Sequence, residues 1–240
     1  MLNREIIKKL ALHYQTTEVN IVREYVQHLF LSAFYQEPDS EKVLFKGGTA
    51  LRIIFQSPRF SGDLDFSGFS ADITLIETLV INAIDKIHDF GVDIEISESK
   101  KTSGGYIGIF DLMSAGYWTR ITMEVSLRKR NGIKGEPILI TNDFIPSYTI
   151  IMLPQKTLVY EKLMAVVNRA KPRDYFDLYF LLRKGLVSVE QKKILKEIKF
   201  RLENETLSLE KELRDFLPTN QRKLIRNFQK FLLMEISHYN

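Results

Sequence analysis

Val43-Leu44-Phe45-Lys46-Gly47-Gly48-Thr49-Ala50-Leu51-Arg52, followed by Arg59-Phe60-Ser61-Gly62-Asp63-Leu64-Asp65-Phe66, decides how this chain is read. A short apolar run, a glycine pair and an apolar-periodic stretch through Phe55 read as strand, tight turn and helix. Glycines at such a junction let backbone N–H groups approach a phosphate, and the helix N-terminus adds favourable partial charge. Thr49 can add a hydroxyl. Taken alone, a Gly-Gly turn is more often only a tight connection. Asp63–Phe66 reads as a short strand after a Ser-Gly turn. Residues i and i+2 of a strand share a face, so Asp63 and Asp65 project together, roughly 6.5–7 Å apart at Cα, while Leu64 and Phe66 face the core. Two hard oxygen ligands placed this way suit one or two Mg²⁺ ions, which keep water and substrate phosphate in their remaining positions. A lone Asp-x-Asp is otherwise the polar face of an edge strand.

Upstream, residues 3–37 carry apolar positions at helical spacing, Ile6, Ile7 and Leu10, then Val22, Val26, Leu29 and Phe30. This predicts two helices with a polar break at Gln15–Asn20. Pro38-Asp39-Ser40 ends the segment with turn chemistry. Downstream, Asp72 can cap a long helix through Phe90, stopped by Gly91. Strand-like runs follow at Val92–Ser97, Tyr106–Leu112, Arg120–Leu127, Pro137–Thr141 and Tyr148–Leu153, with Gly104-Gly105 and Asn131-Gly132 marking turns. From Gln155 onward helical spacing dominates, punctuated by Pro172 and Pro218.

The 240 residues are 45% hydrophobic and 27% charged, ordinary for a globular chain with a packed core. No apolar run approaches the ~18–20 residues that span a bilayer. Arg4, Glu5, Lys8 and Lys9 leave no room for a signal-peptide core, and a cytosolic (cytoplasmic) protein without membrane attachment is expected. The absence of cysteine excludes disulfides, thiolate metal sites and a Cys nucleophile. Charge is unevenly spread: residues 156–240 hold 18 Lys and Arg against 11 Asp and Glu, whereas residues 1–155 hold 16 against 19. A carboxylate-rich part joined to a basic part suits an enzyme holding a cation and an anionic substrate between two lobes. The plainer alternative is a solvated basic surface on helices.

A third acid, Glu124, lies in Arg120-Ile121-Thr122-Met123-Glu124-Val125-Ser126, on the strand face of Thr122 and Ser126. Beside the first two carboxylates it could ligate metal or take a proton from an incoming hydroxyl; alone it could be a solvent-facing Glu near Arg120 or Arg128. Lys162 and Arg169 are two helical turns apart, and either could neutralise phosphate charge. Asp174 and Asp177 follow Pro172 on adjacent turns. Asp174 could pair with Arg173 or cap its helix, and a structural role is expected for Asp177. Tyr175, Phe176, Tyr179 and Phe180 read as core of a helical lobe. His13, His28, His88 and His238 lack metal-ligand spacing and read as helix-surface residues. Arg128-Lys129-Arg130 reads as a hairpin tip, suited equally to a nucleic-acid backbone and to a solubilising loop. Lys192, Lys193, Lys196 and Lys199 lie along one helical stretch and could track RNA phosphates, though exposed lysines usually have no such role.

Gly-Gly-Thr entering a helix, Asp-x-Asp on a strand and a later strand-borne acid together resemble the polymerase-beta-like nucleotidyltransferase superfamily. Closer still, Lys46–Arg52 with Arg59–Phe66 is similar to the AbiEii/AbiGii toxin family of nucleotidyltransferases. That family also carries a downstream helical Lys and an Arg-Asp-x-x-Asp-Leu stretch, matched here by Glu161–Ala165 and Lys171–Leu178. The resemblance runs from about residue 43 to about 182. The fold expected is α/β (α+β): a nucleotidyltransferase core with a mixed β-sheet and N-terminal helices over residues 1–155, then a C-terminal helical domain over 156–240, with the site in the cleft between them.

The resemblance implies transfer of a nucleotide from a nucleoside triphosphate with release of pyrophosphate. Known members modify the acceptor ends of transfer RNA and so stop translation. Carried across, Asp63 and Asp65 hold Mg²⁺, in a one- or two-metal site, with Glu124 as third ligand or base. Lys46, Gly47, Gly48, Thr49, Arg52 and Lys162 hold the nucleotide, and Asp174 completes the site. The family's third acid is commonly Asp, so Glu124 departs from the pattern. The partners implied are a nucleoside triphosphate, an RNA such as tRNA and a cognate antitoxin of a toxin–antitoxin or abortive-infection system. A protein hydroxyl as acceptor, or a silent nucleotide- or partner-binding protein, are the competing expectations.

Overall fold

Asn3, Thr17 and Asp72 begin helices for one physical reason: each turns a side-chain oxygen onto an N–H that has no partner within the helix. In the computed structural model, which describes residues 2–128, 133–204 and 207–239, Asn3 accepts from Ile6 at 2.9 Å, Thr17 from Asn20 at 3.3 Å and Asp72 from Leu75 at 2.8 Å. The helices so opened are α1 (Arg4–His13), α2 (Glu18–Phe34) and α4 (Ile73–His88), with α3 (Gly47–Phe55) between the last two. A 3₁₀ turn, Ser40–Lys42, leads from α2 to the first strand. Gly91, at φ +67°, follows α4 in the left-handed conformation that favours glycine.

Seven strands form one mixed sheet: β1 (Val43–Lys46), β2 (Asp63–Phe69), β3 (Asp93–Thr102), β4 (Gly105–Ser114), β5 (Tyr117–Arg128), β6 (Glu136–Ile140) and β7 (Tyr148–Met152). Their order across the sheet is β3-β4-β5-β2-β1-β7-β6. The pairs β2–β5 and β1–β7 are parallel and the rest antiparallel. The β3 and β5 runs extend beyond the expected stretches because their pairing continues to the hairpin turns. A further turn, Ala115-Gly116, joins β4 to β5 with both residues at positive φ (+48° and +80°). This is the backbone of a two-residue I′ turn, and a sequence search for Asn-Gly or Gly-Gly misses it. Lys129 and Arg130 of the expected basic hairpin tip, and Asn131-Gly132, lie outside the described residues.

One sheet face is the core. Leu64, Phe66, Met123 and Val125 are buried on it, and α2 and α4 pack against one another above it. Phe30 of α2 stacks on Phe110 and Phe34 lies 5.5 Å from Phe66, centroid to centroid. Along β5 the alternate residues Trp118, Arg120 and Glu124 are exposed. His28 departs from its expected surface position: it is buried, its Nδ1 2.8 Å from the Tyr148 hydroxyl. Burial, with the charge of Arg52, pushes its pKa down to about 3, so the ring is neutral at physiological pH.

The chain divides into two compact units, Met1–Gln56 with Phe60–Pro154, and Ser57–Arg59 with Gln155–Asn240. The second is helical: α5 (Gln155–Asn168), α6 (Pro172–Arg183), α7 (Lys192–Asn204), α8 (Glu210–Leu213), α9 (Arg222–Ile225) and α10 (Phe228–His238). Tyr175, Phe176 and Phe180 are buried, Phe176 stacks on Phe228, and Tyr179 meets the same ring edge-on, as core packing requires.

Candidate active site

Strand register brings the first group of predicted residues together. Lys46 of β1 stands opposite Asp65 of β2, and Asp65 stands beside Glu124 of β5. Asp63, two residues along, is beside Thr122. Because β2 and β5 are parallel and in register, Asp63, Asp65 and Glu124 share the face opposite the buried Leu64, Phe66, Met123 and Val125. Lys46 opposite Asp65 is an opposite-charge cross-strand pair.

The glycine turn backs this row. Gly47 is the first residue of α3, at φ +85°, and a Cβ built there would lie 2.6 Å from both Cβ and Cγ of Asp65 and overlap its carboxylate oxygen. The Asp65 side chain thus occupies the space that any other residue at 47 would fill, and the turn and the acid are one geometric unit. Thr49 has no exposed surface, and its hydroxyl donates to the Asp63 carbonyl, tying α3 to the start of β2. Arg52, expected among nucleotide contacts, pairs through Nε with Glu24 at 3.0 Å and lies over the Phe60 ring at 4.0 Å. Burial raises the Glu24 pKa, and Arg52 opposes that rise.

Arg23 of α2 joins the site from outside the motifs. Its Nε donates to the Thr119 hydroxyl and its Nη1 to Asn20, each at 3.1 Å. Burial lowers its pKa and the nearby Asp63 carboxylate pulls it back up, so a cation stands within electrostatic reach of the acid pair. Its signal in the sequence is slight: Asn20 and Arg23 are polar residues one helical turn apart, Asn20 at the end of the expected polar break.

The donors on this face are oxygen only, the set that suits Mg²⁺ and not a softer metal. Among the described residues no group of three or more His, Cys, Asp and Glu is gathered tightly enough to hold a metal. Mg²⁺ in nucleotide sites is held through one or two carboxylates completed by substrate phosphate and water, rather than in an all-protein cage. Asp63 and Asp65 fit this role, with Glu124 beside them.

In the helical unit, Lys162 of α5 donates to Asp177 at 2.7 Å, and Arg59 meets the same carboxylate at 2.8 Å. Asp177 is 1% exposed and the Lys162 side chain 11%. Burial pushes the Asp177 carboxyl up, but the two cations outweigh it and hold it below the usual carboxylate range. Two cations share this one acid. Asp177 thus ties α6 to Lys162 of α5 and to Arg59, a structural role. Asp174 is fully buried, accepts the Lys171 N–H at 3.1 Å and is gripped by Arg169 at 2.7 Å, an N-terminal capping arrangement for α6.

A strand–glycine–helix turn clasping an Asp-x-Asp strand, with a third acid on the adjoining parallel strand, is the architecture of a nucleotidyltransferase. The family model described as "Nucleotidyl transferase AbiEii toxin, Type IV TA system" matches residues 29–238, and the chain belongs to this family. It is accordingly a nucleotidyltransferase of a toxin family. Its fold is similar to that of JHP933 from Helicobacter pylori (TM-score 0.63, 21% identity, covering 93% of each chain). A second H. pylori structure designated a nucleotidyltransferase is equally similar (TM-score 0.63, 20% identity, covering 93% of this chain and 95% of that one). At such identities the likeness concerns the fold. No curated protein matches the chain. No helix among the described residues is long and apolar enough to cross a membrane.

Proposed function

We propose that this chain transfers a nucleoside monophosphate from a nucleoside triphosphate to an RNA hydroxyl, with tRNA 3′ ends as the acceptor, and releases pyrophosphate. The observation that carries this reading is the row Lys46–Asp65–Glu124 with Asp63 alongside, closed at its back by Gly47. Asp63 and Asp65 would hold Mg²⁺. When bound, the ion would supply fixed positive charge to the triphosphate oxygens. The backbone N–H groups at Gly47 and Gly48 donate to phosphate at the start of α3, and Lys46 adds charge. Thr49 acts by fixing Asp63 through its carbonyl. Arg23 offsets the negative charge of Asp63.

The acceptor hydroxyl attacks the α-phosphorus as the bond to pyrophosphate breaks, and Glu124, exposed on the same face, takes the hydroxyl proton. Lys162 is assigned the triphosphate contact implied by the family motif, held in place by Asp177. Asp174, capping α6, acts as a positioning residue for that helix. In a cell such transfer stops growth until a cognate antitoxin relieves it. The test is incubation with each α-labelled triphosphate, Mg²⁺, total RNA and total protein, resolved on gels. Label in tRNA-sized RNA is expected. Label only in protein, or pyrophosphate release without labelled RNA, overturns the acceptor assignment.

A further inference from the structure

Several cations of this chain are matched to acids: Arg52 with Glu24, Arg59 and Lys162 with Asp177, Arg169 with Asp174. The stretch between α7 and α10 gathers cations differently. There, a cavity of about 640 Å³ is lined by Arg214, Arg222, Lys223 and Arg226, with Glu210 as the single acid among the described residues of its lining and Asn227 beside them. Among the described residues none of the four cations is held in an ion pair. The Nε of Arg222 is buried and meets no hydrogen-bond acceptor.

A guanidinium N–H withdrawn from water without an acceptor is unfavourable, and such orphans in folded chains are normally met by a water, an ion or a ligand. Four like charges around one cavity also repel. Both costs vanish if the cavity holds an anion with several oxygens. Buried Leu209, Leu213, Leu217 and Phe228 anchor the surrounding segment, so the cations are displayed from a packed support. Arg222 and Arg226, four residues apart on α9 and its C-cap, are separated by about 6 Å along the helix axis. They can therefore engage separate phosphates of one strand. Arginine forks, Lys223 and the Asn227 amide are phosphate-binding chemistry.

We propose that this cavity is an anchoring site for the phosphodiester backbone of the acceptor RNA, separate from the groups that hold the triphosphate. The proposal rests on the RNA-acceptor reading above and names a site for it. It concerns backbone contact, so it adds affinity and no base preference.

The test compares full-length wild type with Arg222→Ala, Arg226→Ala and the double variant. Filter binding to a tRNA pool over a range of salt, and steady-state transfer with RNA and triphosphate varied separately, give the readouts. The expected result is a KM for RNA raised about tenfold or more in the double variant, with KM for triphosphate unchanged. The slope of log affinity against log salt should fall by about 0.7 to 0.9 for each phosphate that is no longer neutralised. Arg222→Lys should restore part of the RNA affinity, which loss of packing alone would not predict. Melting midpoints should hold or rise, since like charges are removed; Arg226 is exposed, so its variant tests the site even if Arg222→Ala folds poorly. If wild type labels RNA while RNA affinity and salt slope are unchanged in every variant, the cavity assignment falls alone. If KM for triphosphate rises and that for RNA does not, the site holds nucleotide and the proposal is wrong. If wild type labels no RNA, the acceptor reading falls and takes this site with it.

Discussion

Replacing Gly47 by alanine adds one methyl group, and the structure says where it goes. At φ +85° an L-residue already costs about 1–2 kcal/mol. The new Cβ would stand 2.6 Å from Cβ and Cγ of Asp65, whereas carbon atoms rest at about 3.5–4.0 Å, so one partner must move by about 1 Å. Asp65 cannot retreat as backbone, because Leu64 and Phe66 on either side are buried and in register with Met123 and Val125 of β5. The carboxylate therefore rotates away or the β1–α3 turn opens. Together these effects should cost about 2–3 kcal/mol, a fall of about 4–12 °C in melting midpoint for a chain of this size. An error of about 1 Å in a catalytic group costs on the order of 10² in rate. Gly62→Ala is the matched control, since a Cβ there meets nothing within 4 Å; its stability should stay within about 0.5 kcal/mol of wild type. The assay is transfer from labelled triphosphate at saturating Mg²⁺, well below the melting range of each variant. Transfer by Gly47→Ala within about twofold of wild type would refute the claim that turn and acid form one unit.

Other variants probe other parts of the molecule. Lys162→Met leaves Asp177 to Arg59 alone, so stability should drop by about 1–3 kcal/mol, and transfer should fall about 10²–10³-fold if the ammonium meets phosphate; transfer close to wild type in a folded variant would confine Lys162 to the buried triad. Glu124→Gln changes an exposed side chain, so melting should not move while transfer falls by about 10²–10⁴ if Glu124 is the base; equal rates would remove it from proton transfer. His28 is buried neutral with its pKa pushed from 6.5 to about 3, so the unfolded chain binds the extra proton and stability falls as pH drops below about 6.5. The loss attributable to it at pH 5 is about 2 kcal/mol. Urea midpoints at pH 7.5 and 5.0 should show a smaller acid loss in His28→Gln than in wild type, and an equal loss would contradict the assignment.

Local signals carry most of the fold. Caps at Asn3, Thr17 and Asp72, the glycine pair, and alternation along β2 and β5 are written in neighbouring residues, and so are legible in the sequence. Adjacency of Asp65 to both Lys46 and Glu124 is not, because it depends on which strands pair and in what register, and parallel pairing of β2 with β5 spans some sixty intervening residues. The Ala115-Gly116 turn escapes because alanine rarely takes positive φ. His28 and Arg23 are hidden for a related reason: helical spacing says which side of a helix a residue occupies, but α2 is covered on nearly all sides, so polar residues there are buried and paired. The Arg59–Lys162–Asp177 triad joins residues more than one hundred positions apart, and only the tertiary structure shows that one acid serves two cations.

Metal-dependent nucleotide chemistry on the Asp63–Asp65 face is the heart of this reading, and pyrophosphate release is its sharpest test. Purified wild type, Asp63→Ala and Asp65→Ala would be incubated with Mg²⁺, each triphosphate and RNA, with melting curves recorded in parallel. Mg²⁺-dependent release is expected from wild type and none from either variant. Both variants should stay folded, with melting in the absence of Mg²⁺ unchanged or slightly raised, because repulsion between the two carboxylates is relieved. Release at near wild-type rates from Asp65→Ala, or no release from wild type under any triphosphate, would contradict it.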